Sequence, residues 1–202
     1  VSTSVPKVNL LVDIQAKLQA GKGAGYARWA KVFNLKQMAQ TMNYLTEHGL
    51  LEYAVLEEKA AAATTRHNEL SAQIKAAETR MAEIAVLRTH IINYAKTREV
   101  YVAYRKAGYS KKFKDEHESD ILLHQAAKKI FDESGLKKLP TVRSLQAECV
   151  ALLAEKKAAY ADFRKVREDM KELLTVRANV QKLMGYDAQE QEKEAERREE
   201  ER

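Results

Sequence analysis

The densest concentration of side chains that can bind a polyanion lies in residues 96–114, called here the basic segment. It contains seven Lys and Arg residues and a single acid, Glu99, so its net charge of +6 equals that of the whole chain. Cations along a helix can follow nucleic-acid phosphates, and tyrosine rings between them can stack on bases, as in single-strand-binding proteins. The segment predicts a nucleic-acid-binding surface made of Lys96, Arg98, Tyr101, Tyr104, Arg105, Lys106, Tyr109, Lys111, Lys112 and Lys114.

The spacing within this segment leaves a structural interpretation open. Tyr94, Arg98, Tyr101 and Arg105 recur at steps of four, three and four residues, which places them on one helical face. Tyr94 and Tyr101 also continue the apolar stripe that precedes them in the same predicted helix. The alternative is therefore that the rings belong to a core and that the cations form a solvated rim.

A second candidate for phosphate binding is the glycine-rich stretch at residues 21–25. It lacks the residue order of a nucleotide-binding P-loop, and no strand precedes it. Backbone N–H groups at the start of the following helix, with Lys22 and Arg28, could still hold a nucleic-acid phosphate. A simple helix connection is the alternative.

Residues of the types that catalyse reactions or bind metals are not spaced so that they could form a site. His117 and His124 share one helical face with Asp120, but seven residues of helix rise about 10.5 Å, too far for both imidazoles to bind one ion. Cys149 lies on an apolar stripe and is expected to be a small core residue. We therefore predict no catalytic residue, no metal site and no cofactor.

Two long heptad patterns predict the elements that position these residues. Residues 51–107 contain no Gly or Pro, and their apolar positions alternate by four and three residues up to Ile84, after which the stripe shifts phase. Residues 142–184 follow the same spacing throughout. The sequence predicts an all-α fold, an elongated antiparallel coiled-coil hairpin, although the two helices could instead pair with a second copy of the chain.

Glycines mark the ends of the predicted helices. Gly49, Gly108, Gly135 and Gly185 each follow a helix-like stretch, where a left-handed cap is expected. We predict a unit of short helices at residues 1–50, the hairpin at 51–186 with a connecting helix near 111–134, and a charged tail at 187–202 that is helix-prone or disordered. Ser110 is the expected cap of the connecting helix.

Composition limits the class of protein. Glycine and proline total nine of 202 residues, too few for an all-β fold, and the single cysteine excludes an internal disulfide. We expect a protein of the cytoplasm with no membrane insertion, since no run of about 18 apolar residues occurs. Residues 1–114 carry a net charge of +9, which favours a polyanionic partner. The first residue is Val1, so we expect the chain to begin within a longer protein.

The amino-acid sequences of several stretches resemble those of one protein family. The resemblance covers about residues 3–185 and is carried by residues 8–18 (VNLLVDIQAKL), 21–26 (GKGAGY), 28–31 (RWAK), 34–39 (NLKQMA), 101–105 (YVAYR) and 110–113 (SKKF). These stretches are similar to the region that follows the nuclease domain in relaxase/mobilisation proteins of integrative and conjugative elements from Gram-positive gut bacteria. None of them contains a catalytic motif.

The resemblance implies a non-catalytic helical module of a DNA-nicking relaxase. Such a module would bind single-stranded or transfer-origin DNA, or dock to a coupling or accessory protein of the type IV secretion machinery. The nicking tyrosine and the metal-binding histidines of the family lie in the nuclease domain, so no catalytic residue is transferred to this chain. The alternative function is a coiled-coil arm for protein interaction or homodimerisation with no direct role for nucleic acid.

Overall fold

The computed structural model describes residues 35–200, and the described part of the chain is helical with no strand. Its elements in chain order are α1 (Leu35–Glu47), α2 (Tyr53–Lys106), α3 (Lys111–Glu116), α4 (Glu118–Glu133) and α5 (Val142–Glu200). The two long helices pack against each other as an antiparallel hairpin, which confirms the predicted all-α fold. None of the described helices has a stretch long and apolar enough to cross a bilayer.

The heptad spacing produces the pairing of α2 with α5. On α2, the predicted positions are all buried or half-buried: Ala63, His67, Leu70, Ile74, Ala77, Met81 and Ile84. On α5, Leu145, Ala159, Leu173 and Val180 are buried at the predicted spacing. Burial of this stripe is what stabilises helices of such length, since an isolated helix is only marginally stable in water.

The chain divides into two compact units, each containing parts of both long helices. Unit 1 is described over residues 35–69 and 163–200. Leu45 of α1 and Leu50 of the turn after it pack in one cluster with Leu173, Val176 and Val180 of α5. The described part of the predicted 1–50 unit thus shares its core with the hairpin.

Unit 2 comprises residues 70–162. Here Ile84 and Leu87 of α2 pack with Leu145 of α5, and half-buried Phe131 of α4 joins the same cluster. After Leu87, α4 packs along α2, since Tyr94 of α2 contacts both His124 and Phe131 of α4. The connecting helix therefore folds back along the carboxyl-terminal part of α2.

Helix ends follow the glycine prediction at three of four positions. Gly49, Gly108 and Gly135 all have φ between 64° and 67°, the left-handed conformation that caps helices. Gly185 was predicted to be a fourth cap, and this prediction is wrong: α5 continues through it to Glu200, beyond the predicted boundary at residue 186. A second difference is that the connecting helix breaks at His117 into α3 and α4.

Candidate nucleic-acid interface

The basic segment includes the last turns of α2 and the start of α3. The N–H of Gly108 donates to the carbonyl of Arg105 (3.0 Å) and the N–H of Tyr109 donates to that of Tyr104 (3.1 Å), the pair of bonds that closes a Schellman cap. The Ser110 side chain then accepts from the N–H of Phe113 at 3.4 Å and caps α3, as predicted. The turn between the two helices is therefore defined by local hydrogen bonds.

The cations of this segment point outward. Lys96, Arg98, Arg105, Lys106, Lys111 and Lys112 are exposed, and Lys114 is half-buried. Among the residues the structure describes, none of these seven forms an ion pair within 4.0 Å. Their charges are therefore available to an anionic partner.

Part of this charge also stabilises the helix that carries it. Arg105 and Lys106 lie in the last turn of α2, where a cation interacts favourably with the negative end of the helix dipole. The contribution is typically about 0.3–1 kcal/mol for an exposed residue. The remaining cations of the segment on α2, Lys96 and Arg98, precede this turn.

The rings of the segment are placed differently from the prediction. Tyr104 is only 7% exposed, and its ring contacts those of Tyr101 (centroids 5.9 Å apart), Tyr109 (5.2 Å) and Phe113 (6.1 Å). A base cannot stack on a ring buried in this way, so the predicted stacking role of Tyr104 is wrong. Tyr101 is half-buried, and Tyr109, at 58% exposed, is the predicted ring most accessible to a base.

A shift of helical phase explains this outcome. The predicted stripe placed Arg98 and Arg105 in line with Tyr94 and Tyr101, but both arginines are exposed. Thr97 and Tyr104, each one residue earlier, are buried instead. The phase shift predicted after Ile84 is therefore larger than the sequence indicated, because α4 and not α5 covers this part of α2.

Beneath the basic segment lies a histidine whose surroundings the sequence did not reveal. His124 of α4 is 4% exposed and stacks between Tyr94 and Tyr101, with ring centroids at 4.3 and 4.2 Å. Its Nδ1 lies 3.1 Å from the Thr97 hydroxyl, which itself donates to the Asn93 carbonyl at 2.7 Å. The hydrogen bond between Thr97 and His124 fixes the imidazole orientation.

The same surroundings alter the acidity of His124. Burial lowers its pKa below the ordinary value, the charge of Lys128 lowers it further, and a hydrogen bond to the Tyr94 backbone carbonyl acts in the opposite direction. The neutral imidazole is thus the form that this aromatic stack accommodates. His124 has a structural role, holding α4 against the ring-bearing face of α2.

The other candidates do not converge on a site. His117 packs on the Phe113 ring at 4.4 Å while His124 is buried, and the described residues contain no group of three potential metal ligands. Cys149 is half-buried and packs against the cluster of Ile84, Leu87 and Leu145, as expected for a core residue. Lys22, Arg28 and the glycine-rich stretch lie outside the described residues.

Comparison of the chain with protein families, with curated proteins and with solved structures yields no match in any of the three.

Proposed function

We propose that this chain is a non-catalytic helical module of a conjugative DNA mobilisation relaxase and that its basic segment binds single-stranded or transfer-origin DNA. The family is proposed from the sequence resemblance. Contact with a coupling or accessory protein of the secretion machinery, which that resemblance also implies, is part of the same proposal.

The observation that carries DNA binding is the set of unpaired cations in the basic segment. Six of its seven cations are exposed, and none has a carboxylate partner in the described part of the chain. Like charges that are left together oppose folding through their mutual repulsion. Contact of such cations with phosphates releases condensed counterions and favours binding. Unpaired, outward-facing cations are therefore better suited to a polyanion than to a purely structural rim.

The buried rings determine which kind of binding is expected. Tyr104 is withdrawn into the aromatic cluster and Tyr101 is half-buried against His124, so Tyr109 is the predicted ring most open to base stacking. Contacts to phosphates position a protein on nucleic acid and carry no sequence information. We therefore expect binding by this segment to depend strongly on salt and weakly on base sequence.

The test is a fluorescence anisotropy titration of the full chain with a labelled single-stranded oligonucleotide. The variant replaces Arg98, Arg105, Lys111 and Lys112 with Ala. Loss of four phosphate contacts should weaken binding at least about tenfold near 100 mM salt, because counterion release supplies most of non-specific affinity.

A matched control variant removes four positive charges outside the basic segment. Lys59, Lys75, Lys165 and Arg167 are exposed residues outside the basic segment, and their joint replacement with Ala should leave affinity within about twofold. Equal losses in the two variants would reject the basic segment as the binding surface. Absence of any binding by the wild-type chain would reject the DNA function itself.

A further inference from the structure

Helix α5 carries a second row of heptad positions beside the one that packs on α2. Gln146, Val150, Leu153, Lys157 and Tyr160 follow one another at steps of four, three, four and three residues. Val150 is 59% exposed and Leu153 is 41% exposed, and Tyr160 is also exposed. A row with this spacing is the surface against which a further helix packs its own side chains.

A groove accompanies the first part of this row. The groove is open to solvent and has a volume of about 720 Å³, with Val142, Ala147 and Val150 as its apolar surface and Arg88, Arg143 and Gln146 as its polar rim. All of these residues belong to unit 2. Nη1 of Arg88 donates to Oε1 of Gln146 at 3.2 Å, which holds the guanidinium of Arg88 at the mouth of the groove.

The unpaired charges along this face have one sign, because the acid beside it, Glu78 of α2, is held in an ion pair with Lys156 at 2.9 Å. Arg88, Arg143 and Lys157 are exposed, and none of them has an ion pair within the part of the chain that the structure describes. Two acids of α5 face away from the row. Glu148 and Glu155 precede Val150 and Lys157 by two positions, about 200° around the helix, and are held by Arg80 and Gln73 of α2.

We propose that this groove binds an acidic amphipathic helix of a partner protein. Apolar side chains of that helix would cover Val150 and Leu153, and its carboxylates would pair with Arg88, Arg143 and Lys157, the usual helix-in-groove mode of recognition. A second copy of this chain fits less well, because it would bring the same cations to the rim. The exposed apolar side chains favour a helix over a nucleic acid, because proteins contact the nucleic-acid backbone mainly through polar and cationic side chains. The inference does not depend on the proposed DNA function.

The probe is a synthetic helical peptide with Leu at heptad positions a and d and Glu at e and g, titrated into the full chain by fluorescence anisotropy. A peptide of the same design with Lys in place of Glu is its partner control. We expect the Glu peptide to bind and the Lys peptide to bind at least about tenfold more weakly. No binding of the Glu peptide, or equal binding of both, would overturn the proposal.

Matched variants locate the site. Val150→Asp places an acid in the groove and should weaken binding of the Glu peptide at least about tenfold. Val86→Asp changes a similarly exposed valine of α2 outside the groove lining and should leave binding unchanged. The double change Arg88→Glu with Arg143→Glu should reverse the preference toward the Lys peptide. Equal effects of the two valine variants would contradict the site, and circular dichroism melting curves confirm that each variant is folded.

The same variants and probes test for two other possible occupants of the groove, a second copy of the chain and a nucleic acid. If sedimentation shows a dimer of the wild-type chain that Val150→Asp dissociates, the groove is occupied by a second copy and the proposal is wrong. If an oligonucleotide displaces the Glu peptide and Val150→Asp weakens oligonucleotide binding, the groove belongs to a nucleic-acid surface, which also overturns it. The basic-segment variant should bind the Glu peptide normally, so loss of DNA binding alone leaves this inference intact.

Discussion

Two parts of unit 2 place their charges in opposite ways. Along the α2–α5 seam, cations meet carboxylates across the helices: Arg80 makes a two-pronged contact with Glu148 (2.7 and 3.2 Å), and Lys156 pairs with Glu78 at 2.9 Å. In the basic segment, rings form the buried layer, and the cations have no carboxylate partner among residues 35–200. The comparison indicates that charge in the seam contributes to folding, whereas charge in the basic segment is available for binding.

The largest expected effect concerns the buried layer of the basic segment. Tyr104→Ala removes a nearly buried ring from a cluster of aromatic side chains and should lower the free energy of unfolding by about 3 kcal/mol, measured by urea denaturation. Tyr104→Phe keeps the ring and should change stability by less than about 0.5 kcal/mol. Similar stability of Tyr104→Ala and wild type would mean that the rings do not hold this part of the molecule together.

The second effect is a pH dependence specific to His124. Because burial lowers its pKa in the folded state, stability is fully present above the unfolded pKa near 6.5 and decreases as pH falls below that value. The maximal slope for one group is about 1.4 kcal/mol per pH unit. His124→Phe should remove this contribution, so the difference between the two unfolding free energies should change between pH 7.5 and 5.5. A constant difference would contradict the burial of a neutral imidazole.

The third effect distinguishes the exposed ring from the buried ones. Tyr109→Ala should weaken single-stranded DNA binding by about 1 kcal/mol, the lower range for loss of a base-stacking ring, with little change in stability. The control is Tyr160→Ala, which removes an exposed ring outside the basic segment. If both variants bind the oligonucleotide as wild type does, binding involves phosphates alone.

The smallest effect compares single arginines of the two regions. Arg80→Ala loses its contact with Glu148 and should lower unfolding free energy by up to about 1 kcal/mol, since both side chains are partly exposed. Arg98→Ala should have almost no effect on stability. Arg80 lowers the pKa of Glu148, so the stabilising contribution of this pair is present above the carboxyl's unfolded pKa and is lost as pH falls through its folded pKa. An equal loss of unfolding free energy in Arg80→Ala and Arg98→Ala would contradict the conclusion that charge in the seam contributes more to folding than charge in the basic segment.

The sequence was most informative where one helix covers another over many turns. The heptad positions from Ala63 to Ile84 are buried or half-buried as predicted, because a long uninterrupted partner imposes one constant spacing. Left-handed caps at Gly49 and Gly108 were predictable for a local reason, since a glycine ends a helix without a Cβ penalty. Both patterns can be recognised from residues that are close together in the chain, although the partner that buries the heptad positions is distant.

The same reasoning failed where the partner changes. The buried face of α2 includes Thr97 and Tyr104 rather than Arg98 and Arg105 because α4 replaces α5 along it, and the position of that exchange is not encoded in the periodicity of α2. The surroundings of His124 depend on Thr97, 27 residues earlier, a contact that no local motif indicates. Gly185 resembles the other helix-ending glycines but lies within α5.

The most direct test of the central claim is the salt dependence of DNA affinity for the wild-type chain and the variant with Arg98, Arg105, Lys111 and Lys112 changed to Ala. If these cations contact phosphates, the slope of the logarithm of affinity against the logarithm of salt concentration should be shallower in the variant by up to about 2.8, at about 0.7 per lost single-strand contact. Parallel slopes for the two proteins between about 50 and 200 mM salt would show that the unpaired cations of the basic segment do not bind DNA.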